Sequence, residues 1–235
     1  MILTAQQSCF APPLAYFYKM AQTDIFILAD NLQYTSHSLM NRCRLKSKDG
    51  PFWLTIPVET KGKGLQNLKD VRIVAGNQWR KNHWKTLCAN YKMAPYFEKY
   101  DLLLEKGYRQ SWRFLVDFNQ VFIDLAQQEL RIPTPVVRSS TLPKCRSKSN
   151  MLSEYLKALN CSRYMCYKNE KAFAKKYLKN DDLISILPAF RQPEYYQQFD
   201  GFLPNLSILD LIFNEGNEAC KVLLQMIAVE CISKR

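Results

Sequence analysis

An unbroken apolar run between two carboxylates, Asp24-Ile25-Phe26-Ile27-Leu28-Ala29-Asp30, constrains this chain more than any other segment. A short apolar run without alternation reads as a strand buried on both faces, which places helices above and below a mostly parallel sheet. Residues 2 to 6 read as another strand, and Pro12-Pro13 open a helix over Leu14 to Ala21, where proline is preset for a first turn. Strand, helix and strand in that order make a βαβ opening. The polar cluster Gln33-Tyr34-Thr35-Ser36-His37-Ser38-Leu39-Met40-Asn41-Arg42-Cys43-Arg44 then leaves the carboxyl end of the second strand, where open α/β sheets hold their ligands.

Beyond the cluster, Cys43 to Lys46 and Phe52 to Val58 read as strands joined by a Lys48-Asp49-Gly50-Pro51 turn, with another short strand at Val71 to Val74. From Asn77 the pattern turns helical, over 78 to 91, Tyr96 to Glu105 and Trp112 to Leu130. The last carries a stripe of Trp112, Leu115, Phe118, Phe122 and Leu125 that belongs to a core. After the Ile132-Pro133-Thr134-Pro135 stop, Val136 to Ser139, Arg163 to Tyr167 and Leu183 to Leu187 read as extended. Ser149 to Leu159, Lys168 to Lys179 and the tail after Pro204 read as helical. The expected fold is α/β, a mixed or mostly parallel sheet with flanking helices and an inserted helical subdomain. Residues 1–235 would form one domain, sheet-rich over 1–76, helical over 77–130 and αβ over 131–235.

A net charge of +12 invites an anionic partner, whether nucleic acid, an anionic lipid surface or a phosphorylated substrate. The densest basic block, Lys144 to Asn150, holds no aromatic residue for base stacking and reads as a linker. Eight scattered cysteines lack metal spacing and read as free thiols of a reducing cytoplasm. Met1 to Gln7 lacks the basic start of a signal peptide, and no apolar run approaches a membrane span, so the expected location is cytoplasmic. Walker A, Gly-x-Gly-x-x-Gly and Gly-x-Ser-x-Gly sequences are absent and glycines number seven, so no glycine-built phosphate cradle is expected. With two histidines and no carboxylate spacing typical of metal sites, no metal or other cofactor is expected either.

Trp79, His83, Leu87 and Tyr91 recur at helical spacing on one face, so His83 is either a general base framed by an indole or a packed, hydrogen-bonded histidine. His37, among serines in a loop, reads as exposed. Arg42 and Arg44 alternate and therefore share one side of a strand, where two planar forks suit a carboxylate, phosphate or diphosphate unless they pair with Asp24, Asp30 or Glu98. Asp30 ends the buried strand, placed to hold a sugar hydroxyl, a substrate amine or an arginine.

The N-terminal Gln7-Ser8-Cys9-Phe10-Ala11-Pro12-Pro13-Leu14-Ala15-Tyr16-Phe17 resembles the Gln-Pro-x-Tyr-x-Pro-Trp-x-Gly-Tyr-Phe opening of the WbqC-like family. In that family's order follow Asp30, Gln33-Tyr34, Asn41-Arg42-Cys43-Arg44, Leu54 to Val58, Trp79, His83-Trp84, Tyr91 and Ala94-Pro95-Tyr96-Phe97. Tyr195 to Gln197, Phe202, Leu206 to Asp210, Asn214 and Gly216 complete the set. Ser8, Pro13 and Ala15 depart from the opening, and Ser36-His37 from a pair usually richer in Lys, Arg or Gln. Cys166 to Phe173 lacks both glycines of a loop that the family often carries, so no phosphate cradle is expected there.

The resemblance implies a cytoplasmic enzyme encoded with bacterial O-antigen or related surface-polysaccharide functions, passing glycine or another small acyl group to a nucleotide-linked or lipid-linked sugar. The expected catalytic residues are His83 as base, Asn41 orienting the acyl carbonyl, and Asp30. Gln7, Gln33, Tyr34, Arg42, Arg44, Trp79 and Tyr91 are expected to bind substrate, and an aminoacyl or acyl donor is implied. The competing reading is a non-catalytic nucleic-acid-binding or scaffold protein of the same pathway using its basic surface.

Overall fold

The run after Asp24 is a strand buried on both faces. The computed structural model describes residues 1–144, 150–178 and 180–233, with side chains through residue 227. Its strands are β1 (Ile2–Gln7), β2 (Ile25–Ala29), β3 (Arg42–Ser47), β4 (Gly50–Thr55), β5 (Val136–Arg138), β6 (Arg163–Tyr167) and β7 (Ile184–Leu187). Its helices are α1 (Leu14–Ala21), α2 (Gln78–Tyr91), α3 (Phe97–Arg109), α4 (Leu115–Glu129), α5 (Met151–Ala158), α6 (Lys171–Tyr177), α7 (Ile208–Glu215) and α8 (Ala219–Ser233). Five strands form one parallel sheet in the order β5-β2-β1-β6-β7, and β3 and β4 form a separate antiparallel hairpin.

Alternation sorts the sheet's side chains into two layers. Phe26 and Leu28 meet Tyr16, Phe17 and Met20 of α1 in a core that continues through the inner face of the hairpin to α2, α3, α4, α7 and α8. Leu3 and Ile27 face the other way, into a smaller cluster with Leu152, Tyr155 and Leu156 of α5 and Ala174 of α6. The α4 stripe is buried as expected at Leu115, Phe118, Phe122 and Leu125.

Local backbone bonding moves several boundaries. Gly50 at φ 109 closes a tight turn at Lys48-Asp49, so β4 starts at Gly50, and it ends at Thr55 because Pro57 has no N–H to continue the ladder. The expected strand at Val71 to Val74 makes only isolated bridges, Val58 with Ile73 and Arg72 with Phe114. Those bonds hold 112–114 extended, since Ile73 N donates to Arg113 O at 3.0 Å, and α4 therefore begins at Leu115. Helix α3 instead runs on to Arg109. The helix expected over Lys168 to Lys179 is a 3-10 turn at Lys168–Glu170 followed by α6. Of the basic block, residues 145–149 lie outside the described residues. Cys9, Cys43, Cys88, Cys161, Cys166 and Cys220 are free thiols, while the side chains of Cys145 and Cys231 lie outside those described.

Candidate functional site

Strand order reverses between β1 and β6. From β1 the chain moves through α1 to β2 on one side, and from β6 through α6 to β7 on the other, so the carboxyl ends of the two central strands part there. A crevice of about 210 Å³ opens at this point, lined among others by Gln6, Gln7, Asn31, Tyr155, Glu170 and Phe173. The Asn31 amide donates to Tyr155 OH at 3.1 Å and accepts from Ser139 Oγ at 2.8 Å.

Lys19 does not line the crevice but fastens three residues that do, Ala5, Gln6 and Glu170. It is 1% exposed, a lysine within the otherwise apolar Leu14 to Ala21 helix. Its Nζ donates to Gln6 Oε1 at 2.9 Å, to Ala5 O at 3.3 Å and to Glu170 Oε2 at 2.6 Å. Burial pulls the lysine pKa down, while the Glu170 charge and hydrogen bond oppose that pull. Glu170 Oε2 also accepts from Tyr167 N at 3.0 Å, which caps the turn after β6 and fixes the carboxylate at the crevice. Amides and a phenol that both donate and accept, an exposed Phe173 ring and one carboxylate suit a sugar or aminoacyl group.

A second cleft, of about 630 Å³, borders the hairpin and is lined by Ala11, Leu39, Arg44, Pro51, Trp53 and Asn205 among others. The segment Gln7 to Pro13 joins the two clefts, starting in the first and ending in the second; six extended residues reach at most ~20 Å.

The structure scatters the residues expected to form the site. Gln7 lines the crevice and Arg44 the hairpin cleft. Arg42 shares the outer face of β3 with Arg44, as alternation requires, and neither enters an ion pair among the described residues. Asp30 is buried beside the crevice, where Oδ1 accepts from Ser139 Oγ at 2.9 Å and Ser140 N at 2.8 Å, and Oδ2 from Ser140 Oγ at 2.6 Å. The expected catalytic carboxylate is thus engaged in fastening residues 139–140 to the end of β2. Asp30→Asn is expected to cost about 2 kcal/mol, because it turns an acceptor of charge-assisted bonds into a partial donor. Urea denaturation at pH 7 reads this, and an unchanged midpoint would return Asp30 to the catalytic candidates.

His83 and Tyr91 tie α2 to the hairpin, and neither they nor Asn41 and Trp79 line these two clefts. His83 Nε2 lies 2.9 Å from Thr55 O, and its ring packs among Phe10, Trp79 and Tyr108. Burial brings its pKa down to about 4, against a weaker upward pull from the Thr55 carbonyl. The packed, hydrogen-bonded histidine is the arrangement found. Asn41 Nδ2 donates to Ile56 O at 3.0 Å, tying the start of β3 to the segment after β4. Trp79 is half-buried, and its Nε1 has no hydrogen-bond partner among the described residues. Tyr91 OH donates to Asp210 Oδ2 at 2.8 Å and accepts from Lys46 N at 2.9 Å, while Tyr195 OH donates to Asp210 Oδ1 at 2.7 Å. Gln33 and Tyr34 are held in a loop against Gln66 and Asn67, away from both clefts' linings. His37 is exposed.

Sequence reasoning passed over Gln6, Lys19, Trp53, Asn31, Tyr155, Glu170 and Phe173. A lysine inside an apolar helix and a tryptophan across a hairpin from an arginine were available signals. Tyr155, Glu170 and Phe173 had none, since they reach the crevice from more than a hundred residues along the chain. Among the described residues, no group of three or more His, Cys, Asp or Glu side chains gathers, and no helix is long and apolar enough to cross a membrane.

The WbqC-like protein family model matches residues 7–222. The chain is 29% identical over 218 residues to "Uncharacterized protein Rv1507c" of Mycobacterium tuberculosis (strain ATCC 25618 / H37Rv), an alignment covering 91% of this chain and 93% of that protein.

Proposed function

We propose, from the premise that this chain belongs to the WbqC-like family, that it is a cytoplasmic transferase of surface-polysaccharide biosynthesis passing glycine or another small acyl group to a nucleotide-linked or lipid-linked amino sugar. The observation that carries this reading is the convergence of Gln6, Gln7, Asn31, Tyr155, Glu170 and Phe173 on one crevice at the strand-order reversal. Amides there can hold sugar hydroxyls and the Phe173 ring can cover an apolar sugar face. The acyl donor is an activated ester or thioester. The sugar nitrogen forms the new C–N bond to the acyl carbon as the bond from that carbon to the donor's oxygen or sulfur breaks. Glu170 takes the proton shed by the nitrogen, and the leaving group departs with the bonding pair. The base is assigned to Glu170 rather than His83 because the crevice holds that carboxylate and not the imidazole.

A coupled transfer assay with an amino-sugar nucleotide and an aminoacyl ester or thioester tests the assignment. Glu170→Gln also removes the charge paired with buried Lys19, so it is assayed in folded protein and beside Lys19→Met/Glu170→Gln. Both are expected to lower kcat about 100-fold with little change in KM, the usual loss for a general base, while Gln7→Leu raises KM. His83→Phe, which preserves an aromatic ring in its packing site, is expected to retain turnover in the folded protein. Loss of turnover in His83→Phe with full activity in Glu170→Gln would sink the assignment. Salt-sensitive nucleic-acid binding without any turnover would favour the non-catalytic reading.

A further inference from the structure

We propose that the outer face of the β3–β4 hairpin is a nucleoside-diphosphate site, with Trp53 as the stacking platform for the base and Arg44 as the ligand of the phosphates. Strand alternation places Arg42, Arg44 and Trp53 opposite the buried Cys43, Leu45 and Leu54. Arg44 lies directly across from Trp53 in register, and the Arg42 guanidinium carbon sits 4.1 Å from the indole centroid. A cation at that distance is attracted to the ring and holds it in place. Trp53 is nevertheless 48% exposed, in a hairpin whose other face is core. The cleft beside it takes Trp53 and Arg44 into its wall but not Arg42, so Arg42 braces the ring while Trp53 and Arg44 meet the ligand.

Charge points the same way. None of the cleft's lining residues is a carboxylate, and neither arginine is neutralised by an ion pair among the described residues. Arg42 Nε is buried without a hydrogen-bond partner among the described residues. Ser207 ties the wall together, since Arg44 O accepts from Ser207 N at 2.7 Å and Ala11 O from Ser207 Oγ at 2.8 Å. Ala11 is held at φ 40, a strained conformation for a residue with a Cβ, which those bonds maintain beside the cleft. An aromatic face and an adjacent planar donor fork together recognise a flat ring carrying a diphosphate. The inference deepens the transferase reading by naming the carrier of the sugar, and it rests on that reading only for the sugar's presence.

The test is calorimetric titration of the full chain with UDP, ADP, GDP, inorganic pyrophosphate and farnesyl diphosphate at fixed ionic strength. At least one nucleoside diphosphate is expected to bind about ten-fold or more tightly than pyrophosphate, the scale of one base stacked on an aromatic ring. Trp53→Leu is expected to remove that margin and spare pyrophosphate affinity, while Arg44→Gln weakens both about ten-fold. Arg42→Gln is expected to remove the margin, and Arg42→Lys, which returns a cation to the indole face, to restore it. No binding of any nucleotide, a margin that survives Trp53→Leu, or farnesyl diphosphate binding as tightly as the best nucleotide and unaffected by Trp53→Leu would each overturn the proposal. Failure of the transfer assay with nucleotide binding intact would sink the crevice chemistry and leave this site standing.

Discussion

Gly216→Ala is expected to destabilise the protein by about 4 kcal/mol, from backbone strain and overpacking together. Gly216 ends α7 at φ 53 and ψ −123, a region that side chains other than glycine's hydrogen avoid. A Cβ there would fall under 3.0 Å from three carbons of the Tyr96 ring. That ring cannot step aside easily, since Tyr96 N is bonded to Phe213 O at 2.9 Å and Phe97, next in sequence, is buried in the core. The contact brings Ala94-Pro95-Tyr96-Phe97 against the turn after α7, so two segments of the family resemblance meet at one glycine. Gly62→Ala is the control, because Gly62 has φ 71 but no atom of the described residues within 4 Å of its added Cβ. It should lose about 1 kcal/mol, from strain alone. Urea midpoints of the two variants separate the terms, and equal losses would mean that the Tyr96 ring moves.

Between pH 4 and 6.5 two buried groups are expected to pull stability in opposite directions, and either single variant should expose a slope of about 3 kcal/mol that the parent chain hides. His83 falls from 6.5 to about 4 in the folded protein, chiefly by burial. The unfolded chain therefore binds its proton first as pH drops, so the His83 contribution is present above 6.5 and lost toward pH 4. Asp210 rises from 3.8 to about 6, again chiefly by burial, although its bonds from Tyr195 and Tyr91 and the nearby Lys46 charge restrain the rise. Here the folded chain binds the proton first, so stability falls as pH climbs from about 4 to 6. The two terms nearly cancel across this window. Asp210→Asn should leave a protein that weakens steeply on acidification, and His83→Phe one that strengthens over the same range. Denaturation midpoints at half-unit pH steps test this, and parallel profiles for the two variants would refute it.

The sheet was legible because burial on both faces leaves an unmistakable record in Ile25 to Ala29, and the helix of Leu14 to Ala21 was legible from the prolines before it. Boundaries failed where a distant backbone took over the bonding, as at Val71 to Val74 and at Trp112 to Phe114. The site was less legible than the fold. Periodicity brought His83, Trp79 and Tyr91 to one helix face correctly, but an imidazole framed by an indole looks the same in sequence whether it meets substrate or carbonyl oxygen. Asp30 was placed at the right end of the right strand, and only the arrival of Ser139 and Ser140 revealed how its oxygens are used.

Residue order by itself determined the α/β class with a mixed or mostly parallel sheet, the shared face of Arg42 and Arg44, and family membership, since all three depend on spacing along short or ordered stretches of chain. Tertiary structure alone decided that Lys19, Gln6 and Glu170 form one group at the crevice, across 151 residues for the lysine and its carboxylate. It alone sent Asp210 between Tyr91 and Tyr195. The physical reason is that a buried charge or hydroxyl must find its partner wherever packing delivers one, and the identity of that partner is set by the closure of the core rather than by local sequence.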